Sequence, residues 1–251
     1  MKLLIDADVV LYLALATAAD DTAASAFERY QGIMTDVREM HFLEECDVEM
    51  FLSSDGENFR KNQYPVYKSN RKNVVPNPAM KELKAIAMAQ PRTFGSPASE
   101  ADDQLLIRAC DLEDQGEDWV IATVDKDLRT HPGRFYNLRS RDWLTVSPTE
   151  AYTFMIAQFV MGDSVDGIKG LKGFGPKKSG AIIHNNNSME VNYDRAKETW
   201  QENCKEEEGW AEGFNTTCNL AYIRRSQGDC LPLDFAGMSY QDFRSLLRIR
   251  L

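Results

Sequence analysis

The chain has 251 residues, of which 43% are hydrophobic and 27% are charged, as is ordinary for a globular protein that buries one sizeable core. No apolar run approaches the length of a membrane span, and Asp6 and Asp8 interrupt the apolar N-terminal stretch LLIDADVVLYLALA, so we do not expect this stretch to be a signal peptide. The formal net charge of −10 argues at first against a nucleic-acid partner.

The cysteine and histidine content indicates a cytoplasmic protein without a zinc site. The five cysteines are scattered and never form a Cys-x-x-Cys pair, which predicts reduced thiols in a cytoplasm. The three histidines lie far apart in the sequence, so they do not have the spacing of a zinc site.

Three short apolar or β-branched runs predict buried strands, and each is followed at once by an aspartate. The runs are residues 2–5, 48–54 and 119–124, and the aspartates are Asp6, Asp55 and Asp125. Helical stretches separate the runs, and this alternation predicts an α/β fold with a mostly parallel central sheet flanked by helices. Because ligands in such sheets lie beyond the carboxyl ends of the strands, we expect the three aspartates at one edge.

The remaining patterns divide the chain. Val9 to about His41 is mostly helical, as are the stretches on either side of PRTFGSP. After Pro148 a helix over 149–161 leads through a Gly-rich connection into another helix. We predict an α/β core over 1–148 that contains a short arch-like segment at about 57–95. A helix–hairpin–helix element over 149–185 follows, and then a helical C-terminal region over 186–251 for which no motif indicates a role.

Acidic residues are grouped in four motifs. LLIDAD, VDKDL and GDSVDG each carry two aspartates at a strand end or turn, and SEADD carries three acids ahead of an apolar run. Ser99 and Asp102 also fit a capping box, and we expect Ser99 to cap that helix. If the motifs converge, repulsion favours a bound cation, and all-oxygen ligation suits Mg²⁺ or Mn²⁺. Two such ions about 4 Å apart are the usual device for in-line hydrolysis of phosphodiesters.

In this order and spacing, DAD, SEADD, VDKDL and MGDSVDGIKGLKGFGPKK resemble the flap endonuclease/5′-nuclease family, which has a PIN-like fold. The likeness is strongest to its short bacteriophage 5′→3′ exonucleases and to the 5′-nuclease domain of bacterial DNA polymerase I. FRKNQYPVYKSNRK matches the signature ahead of the family's helical arch, and the resemblance covers roughly residues 1–185. It implies a structure-specific 5′→3′ exonuclease or flap endonuclease. Its substrate would be DNA 5′ ends, or RNA in RNA–DNA hybrids, during replication, primer removal or degradation of host DNA, in the host cytoplasm if phage-encoded.

The resemblance also implies two metal sites. The first would consist of Asp6, Asp55, Glu100 and Asp102, with Asp103 at its margin. The second would consist of Asp125, Asp127, Asp163 and Asp166, partly through bound water. Asp8 is left out, because a residue two positions after Asp6 fits a helix cap equally well. With nine of the 39 acids in this cluster, 30 acids face 29 bases elsewhere, which leaves room for basic patches that bind DNA.

A basic, Tyr-rich segment follows Asp55. Lys68 and Arg71 lie three residues apart, on one face of a helical turn, beside Tyr64 and Tyr67. Alone this pattern is typical of a solvated basic helix end, but beside the carboxylates it favours a substrate clamp. Lys68 would neutralise the scissile phosphate with help from Arg71, and Tyr67 would stack on the terminal base. The weaker candidates for contacts with the DNA backbone are Arg60 and Lys72.

GLKGFGPKKSGAII has the features of a phosphate-binding turn. Gly173 and Gly175 permit a tight turn whose amides point outward, and Pro176 suits the first turn of the next helix. The lysines that supply positive charge there are Lys169, Lys172, Lys177 and Lys178. The stretch resembles the element with which the family binds duplex DNA, often with a K⁺ ion in the turn. Such contacts ignore base identity, so binding should depend on salt rather than sequence.

Two other functions stay open. LLIDADVV also fits the Asp-x-Asp motif of a haloacid-dehalogenase-type phosphatase, with Asp6 as nucleophile and Asp8 as acid/base, although SEADD and GFGPKKSG are then unexplained. The non-enzymatic alternative is a DNA-junction-binding module. NVVPNPAM breaks the short segment between Arg71 and Glu100, so a full two-helix arch is not expected.

Overall fold

The computed structural model describes residues 1–20, 22–39, 47–53, 58–70, 77–96, 98–204 and 209–247. A six-stranded sheet forms the centre of the N-terminal part, in the order β3-β2-β1-β4-β5-β6. The strands are β1 (Lys2–Asp6), β2 (Asp47–Ser53), β3 (Thr93–Ser96), β4 (Trp119–Thr123), β5 (Gly133–Asn137) and β6 (Trp143–Val146). Only the β5–β6 pair is antiparallel. The prediction of a mostly parallel α/β sheet is therefore confirmed.

The helices of the described residues are α1 (Ala7–Thr17), α2 (Ala23–Glu39), α3 (Phe59–Gln63), α4 (Pro78–Met88), α5 (Ala101–Asp114), α6 (Pro148–Met161), α7 (Pro176–Ile182), α8 (Met189–Asn203), α9 (Trp210–Ala221) and α10 (Tyr240–Leu246). Two short strands, β7 (Gly162–Asp163) and β8 (Ile168–Lys169), form an antiparallel pair between α6 and α7. The long helical stretch predicted from Val9 is two helices, α1 and α2, with a break between them.

The order of the strands brings three strand ends together. β1 lies between β2 and β4, and the register pairs Asp6 with Phe51 and Ile5 with Ala122. The three central strands are buried on both faces, as parallel strands covered by helices must be. Their carboxyl ends are Asp6, Ser53 and Thr123, and they form one edge of the sheet. Asp125 follows this edge by two residues, as predicted, whereas Asp55 lies outside the described residues.

The chain divides into two compact units. Unit 1 comprises residues 1–58, 73–128 and 133–146, and unit 2 comprises residues 59–72, 129–132 and 147–251. The predicted regions 149–185 and 186–251 share one core in unit 2, where α6, α8, α9 and α10 pack around a cluster of aromatic rings. The rings in contact at its centre are Phe159, Tyr193, Phe214, Phe235 and Phe243. The predicted arch-like segment at 57–95 is divided between the units.

Two observations bear on the predicted location. No helix in the described part of the chain is long and apolar enough to cross a membrane. The cysteines in that part, Cys110, Cys204, Cys218 and Cys230, are free thiols.

Candidate functional site

Asp6 is a buried acid at the edge of the sheet. It ends β1 and caps α1, where one carboxylate oxygen accepts a hydrogen bond from Val9 N at 3.3 Å. The other oxygen accepts from the Thr123 hydroxyl at 2.8 Å, and the residue is only 6% exposed. Burial, and next the negative charge of Asp8, raise the pKa of Asp6 to about 7, although the two hydrogen bonds oppose the shift.

Asp125 is linked to Asp6 through Thr123. The Thr123 hydroxyl that donates to Asp6 also accepts a hydrogen bond from Asp125 N at 2.9 Å. Asp127 N in turn donates to the Asp125 carboxylate at 2.8 Å, which fixes the turn after β4. Asp125 adds a further negative charge that raises the pKa of Asp6, so the structure brings these two predicted ligands into one electrostatic environment.

The acids of SEADD open α5, but not with the predicted cap. The N-cap is Glu100, which forms a capping box with Asp103, and Glu100 N donates to the Asp103 carboxylate at 3.4 Å. Ser99 is instead buried and accepts a hydrogen bond from the Gln104 side chain at 2.7 Å, so the predicted Ser99 cap is wrong. The capping contact leaves Asp103 fully buried, whereas Glu100 and Asp102 are partly exposed.

Asp8, which was left out of the predicted metal ligands, also lies at this edge of the sheet. Its carboxylate accepts a hydrogen bond from Ser53 N at 3.0 Å, and the Ser53 hydroxyl accepts from Ala101 N at 2.8 Å. Asp8 thereby joins the end of β2 to the start of α5. Burial raises the pKa of Asp8, and the nearby negative charge of Glu100 adds to the shift. The only signal in the sequence was the two-residue spacing from Asp6.

The acidic residues of unit 1 at this edge of the sheet have side chains that suit a hard divalent cation. Their donors are carboxylate oxygens, which Mg²⁺ and Mn²⁺ prefer. The raised pKa of buried Asp6 shows that its negative charge is poorly compensated in the protein alone, which a cation would correct. Among the described residues of unit 1, however, there is no set of three predicted ligands whose carboxylate oxygens all lie within 4.8 Å of one another.

The remaining two predicted ligands lie on the β7–β8 hairpin of unit 2. Asp163 is 8% exposed, and its carboxylate accepts hydrogen bonds from Val165 N at 2.7 Å and Asp166 N at 3.4 Å. Gly162 has a φ of 65°, and a Cβ there would lie 2.3 Å from Gly170 N, so this hairpin requires glycine. The turn that carries the two acids is thus closely specified by its sequence.

Lys68 is held against this hairpin. Its ammonium group pairs with the Asp166 carboxylate at 3.4 Å, and Lys68 N donates to the Asp166 carbonyl at 2.8 Å. The Asn70 amide donates to the carbonyls of Ser164 and Val165 at 3.2 and 3.1 Å. Lys68 has a φ of 52°, a backbone conformation that non-glycine residues adopt mainly at constrained sites. The predicted catalytic lysine therefore directly contacts a predicted metal ligand.

Two predicted DNA contacts in this segment are buried. Tyr67 is 3% exposed and packs against Ile168 and Leu220, so it is not placed to stack on a base as predicted. Arg60 is 2% exposed and donates to the Tyr222 carbonyl at 2.7 Å, so its predicted contact with the DNA backbone is also contradicted. Tyr64 is partly buried against the same cluster as Tyr67. The predicted Arg71 and Lys72 contacts, like Asp55, lie outside the described residues.

The turn at Gly173–Lys178, called the Gly-Lys turn below, has the predicted local structure. Gly173 has a φ of 84°, and α7 begins at Pro176 with Gly175 as its N-cap. Gly175 itself has a φ of −79°, so only the first of the two glycines needs the left-handed conformation. The four lysines of the turn, Lys169, Lys172, Lys177 and Lys178, are exposed.

Comparison with known proteins agrees with this geometry. No family model matches the chain. The chain is 27% identical over 157 residues to DNA polymerase I of Rhizobium leguminosarum, a match that spans 57% of the chain and only 15% of the polymerase. A T5 protein crystallised with metal ions superposes over 98% of this chain and 96% of its own length, with a TM-score of 0.62 and 15% identity. The bacteriophage T5 flap endonuclease in a complex with DNA and metal ions superposes over 98% and 97%, with a TM-score of 0.61 and 16% identity.

The chain has the fold of the T5 flap endonuclease. The likeness extends over the C-terminal region, for which the sequence contained no motif.

Proposed function

We propose that the protein is a divalent-metal-dependent, structure-specific 5′→3′ exonuclease and flap endonuclease that hydrolyses phosphodiester bonds at DNA 5′ ends. The observation that carries this proposal is the linkage of Asp6 to Asp125 through Thr123 at the carboxyl edge of the sheet, where Asp8 is close enough to Asp6 and to Glu100 for their charges to interact. The whole-chain likeness to the T5 flap endonuclease supports it. RNA in RNA–DNA hybrids and a cytoplasmic location belong to the same proposal.

The proposed cofactor is a pair of Mg²⁺ ions, for which Mn²⁺ could substitute. The ligands of the first ion would be Asp6, Asp55, Glu100 and Asp102, with Asp103 in the capping contact at its margin. Those of the second would be Asp125, Asp127, Asp163 and Asp166. When bound, the ions would supply an activated water and positive charge at the leaving 3′ oxygen. A K⁺ ion in the Gly173–Gly175 turn is a further part of the proposal.

The basic residues would hold the substrate. Lys68 would neutralise the scissile phosphate, with Arg71 assisting it. In the structure the Lys68 ammonium group pairs with Asp166, so a cation on that carboxylate would weaken the pair and favour a contact between Lys68 and phosphate. The lysines of the Gly-Lys turn would bind the duplex backbone, and Lys177 and Lys178 are exposed at the start of α7.

The test is cleavage of a 5′-labelled duplex with a recessed or flapped end, with and without Mg²⁺. We expect short 5′ products only with the metal. Asp125→Asn should lower turnover by roughly two orders of magnitude or more while DNA binding is retained or tighter, because the change removes repulsion. The matched control is Asp118→Asn, an exposed acid just before β4 at the opposite edge of the sheet, which should cleave normally.

Two results would refute the proposal. Tight binding to the flap without product release in either condition would instead identify a DNA-junction-binding module. Equal loss of turnover in Asp118→Asn and Asp125→Asn would show that the effect reflects net charge and not the site.

A further inference from the structure

Thr123 is a buried hydroxyl residue at the carboxyl edge of the sheet, and it has no role in the mechanism proposed above. It is the last residue of β4 and is 4% exposed. β1 and β4 are parallel and pair Ile5 with Ala122. The next residues on the two strands, Asp6 and Thr123, therefore extend their side chains to the same side of the sheet. β4 also pairs with β5, and Leu138 N donates to the Thr123 carbonyl at 3.1 Å, so the Thr123 backbone is held within the sheet.

The directions of the two hydrogen bonds at the Thr123 hydroxyl follow from the chemistry of the groups. A backbone N–H can only donate, so the Thr123 oxygen accepts the bond from Asp125 N at 2.9 Å. The single hydroxyl proton is then directed to the Asp6 carboxylate at 2.8 Å, which accepts it. One side-chain oxygen thus holds the backbone of Asp125 and the carboxylate of Asp6 at the same time.

Each of these two acids is held at a second point as well. The other carboxylate oxygen of Asp6 accepts from Val9 N at 3.3 Å, and the Asp125 carboxylate accepts from Asp127 N at 2.8 Å. A carboxylate offers about four acceptor sites, so these bonds leave acceptor sites on both acids for a cation. The Thr123 hydroxyl joins the two halves of this hydrogen-bond network, because it contacts Asp6 on one side and Asp125 on the other.

We propose that Thr123 is a positioning residue of the proposed metal centre, and that its hydroxyl holds one ligand of each ion in the orientation that binds the cation. Asp6 is a proposed ligand of the first ion and Asp125 of the second, so this inference rests on the proposed function. Hydrogen bonds from groups that do not touch the metal orient its ligands, and loss of such a bond typically lowers metal affinity or activity by about 10- to 100-fold. The hydroxyl would thus couple the two ion sites across the ends of β1 and β4.

The alternative role for Thr123 is packing by its methyl group, and two substitutions separate the roles. Thr123→Val keeps the shape of the side chain and removes the hydroxyl, whereas Thr123→Ser keeps the hydroxyl and removes the methyl group. A positioning role predicts that valine is defective and that serine restores the wild-type behaviour, and a packing role predicts the reverse order. The matched control is Thr199→Val in unit 2, which removes a buried hydroxyl that donates to the Arg195 carbonyl at 2.6 Å within α8.

Two measurements on the full chain need no substrate. Amide hydrogen exchange of Asp125, followed by NMR in EDTA, should be about tenfold faster in Thr123→Val, because the N–H loses its acceptor, and unchanged in Thr123→Ser and Thr199→Val. Titration with Mn²⁺ without DNA, followed by calorimetry, measures the metal affinity. We expect Thr123→Val to bind Mn²⁺ about tenfold more weakly than wild type, and the serine and control variants to bind it within about twofold of wild type.

Flap cleavage separates metal binding from substrate binding. In Thr123→Val the Mg²⁺ concentration for half-maximal cleavage should rise about tenfold, whereas the KM for the flap at saturating Mg²⁺ should stay within about twofold of wild type. If Thr123→Val does not fold, as judged by circular dichroism, Thr123→Ala replaces it. Its comparison with Thr123→Ser removes the hydroxyl alone.

The result that would overturn the inference is an Mn²⁺ affinity in Thr123→Val equal to that of wild type, even if the Asp125 amide exchanges faster. If wild type cleaves the flap with Mg²⁺ in that case, the nuclease stands without the positioning role. A greater loss of Mn²⁺ affinity in Thr123→Ser than in Thr123→Val also overturns the inference, because the methyl group is then the part that matters. Weaker Mn²⁺ binding by Thr123→Val that serine restores, in a protein that cleaves no flap, supports the positioning role and refutes the nuclease.

Discussion

At the level of single residues, the Asp6 carboxylate is buried in an environment that disfavours its negative charge. In the unfolded chain its pKa is near 3.8, and in the folded protein burial and the charge of Asp8 raise that pKa to about 7. A group whose pKa is higher in the folded state contributes stability that is present below pH 3.8 and is lost as the pH rises to about 7. The shift corresponds to about 4 kcal/mol of unfolding free energy. Such an environment is typical of a functional site.

We therefore expect Asp6→Asn to be more stable than wild type in EDTA at pH 8, and the difference in unfolding free energy to vanish near pH 4. Asparagine carries no charge at either pH, so only the wild type loses stability on deprotonation. Urea denaturation from pH 4 to pH 8 measures the unfolding free energies. Asp118→Asn is the control, and its unfolding free energy should differ from that of wild type by the same amount at every pH. A pH-independent difference for Asp6→Asn would contradict the burial argument. Adding Mg²⁺ at pH 8 should stabilise wild type more than Asp6→Asn.

Asp8 separates the nuclease from the phosphatase. In the nuclease, Asp8→Asn should keep activity within about tenfold of wild type, because its amide oxygen can still accept the hydrogen bond from Ser53 N. Asp8→Ala leaves that N–H without its acceptor and should lower the unfolding free energy by about 1–3 kcal/mol. Flap cleavage and hydrolysis of p-nitrophenyl phosphate are measured on the same preparations. Phosphatase activity in wild type that Asp8→Asn abolishes would refute the nuclease.

The residues that could be predicted from sequence are those whose position follows from strand direction. Asp6 and Asp125 follow parallel strands, so a common edge was expected before any contact was known. The roles of Asp8, Tyr67 and Arg60 could not be predicted, because each depends on partners far along the chain. Asp8 contacts Ser53, 45 residues away, and Arg60 contacts Tyr222, 162 residues away.

For the secondary-structure elements, prediction succeeded where a local signal was strong. The buried strands β1, β2 and β4 were found from their apolar runs, and α6 was found from its helical pattern after Pro148. The strands β5, β7 and β8 were missed, and so were β3 and β6, which lie at the two edges of the six-stranded sheet. Phe94 of β3 is 47% exposed and Trp143 of β6 is 44% exposed, so neither strand shows the continuous burial that marks the central ones.

The Gly-Lys turn yields a prediction about DNA binding. We expect Lys177→Ala combined with Lys178→Ala to weaken binding to a duplex and to reduce the slope of log affinity against log salt by about 2, because each lysine that contacts phosphate releases about one counterion. Fluorescence anisotropy in EDTA across a salt series measures both effects. Lys81→Ala, which removes an exposed lysine of α4, should leave the slope unchanged. An unaltered slope in the double variant would show that the turn does not bind DNA.

In the whole molecule, each compact unit is assembled from segments that are separated along the chain. Unit 2 takes residues 59–72 and 129–132 from within the N-terminal half and joins them to residues 147–251. Two buried arginines make these connections, since Arg60 donates to the Tyr222 carbonyl and Arg225 donates to the Thr130 carbonyl at 3.0 Å. In the sequence, Arg60 lies near the predicted substrate clamp of Lys68 and Arg71, which suggested a contact with DNA. The fold shows that Arg60 is instead buried within unit 2.

Arg60 therefore tests the architecture of unit 2. We expect Arg60→Ala to lower the unfolding free energy of the full chain by about 2–4 kcal/mol, because it leaves the Tyr222 carbonyl unpaired and a cavity beside Phe59 and Tyr67. Lys61→Ala, an exposed neighbour on α3, should change it by less than about 0.5 kcal/mol. Urea denaturation measures stability, and duplex binding across a salt series is measured on the same samples. Unchanged stability with a flattened salt slope in Arg60→Ala would show that Arg60 reaches DNA after all, whereas lost stability with an unchanged slope establishes its place in the core.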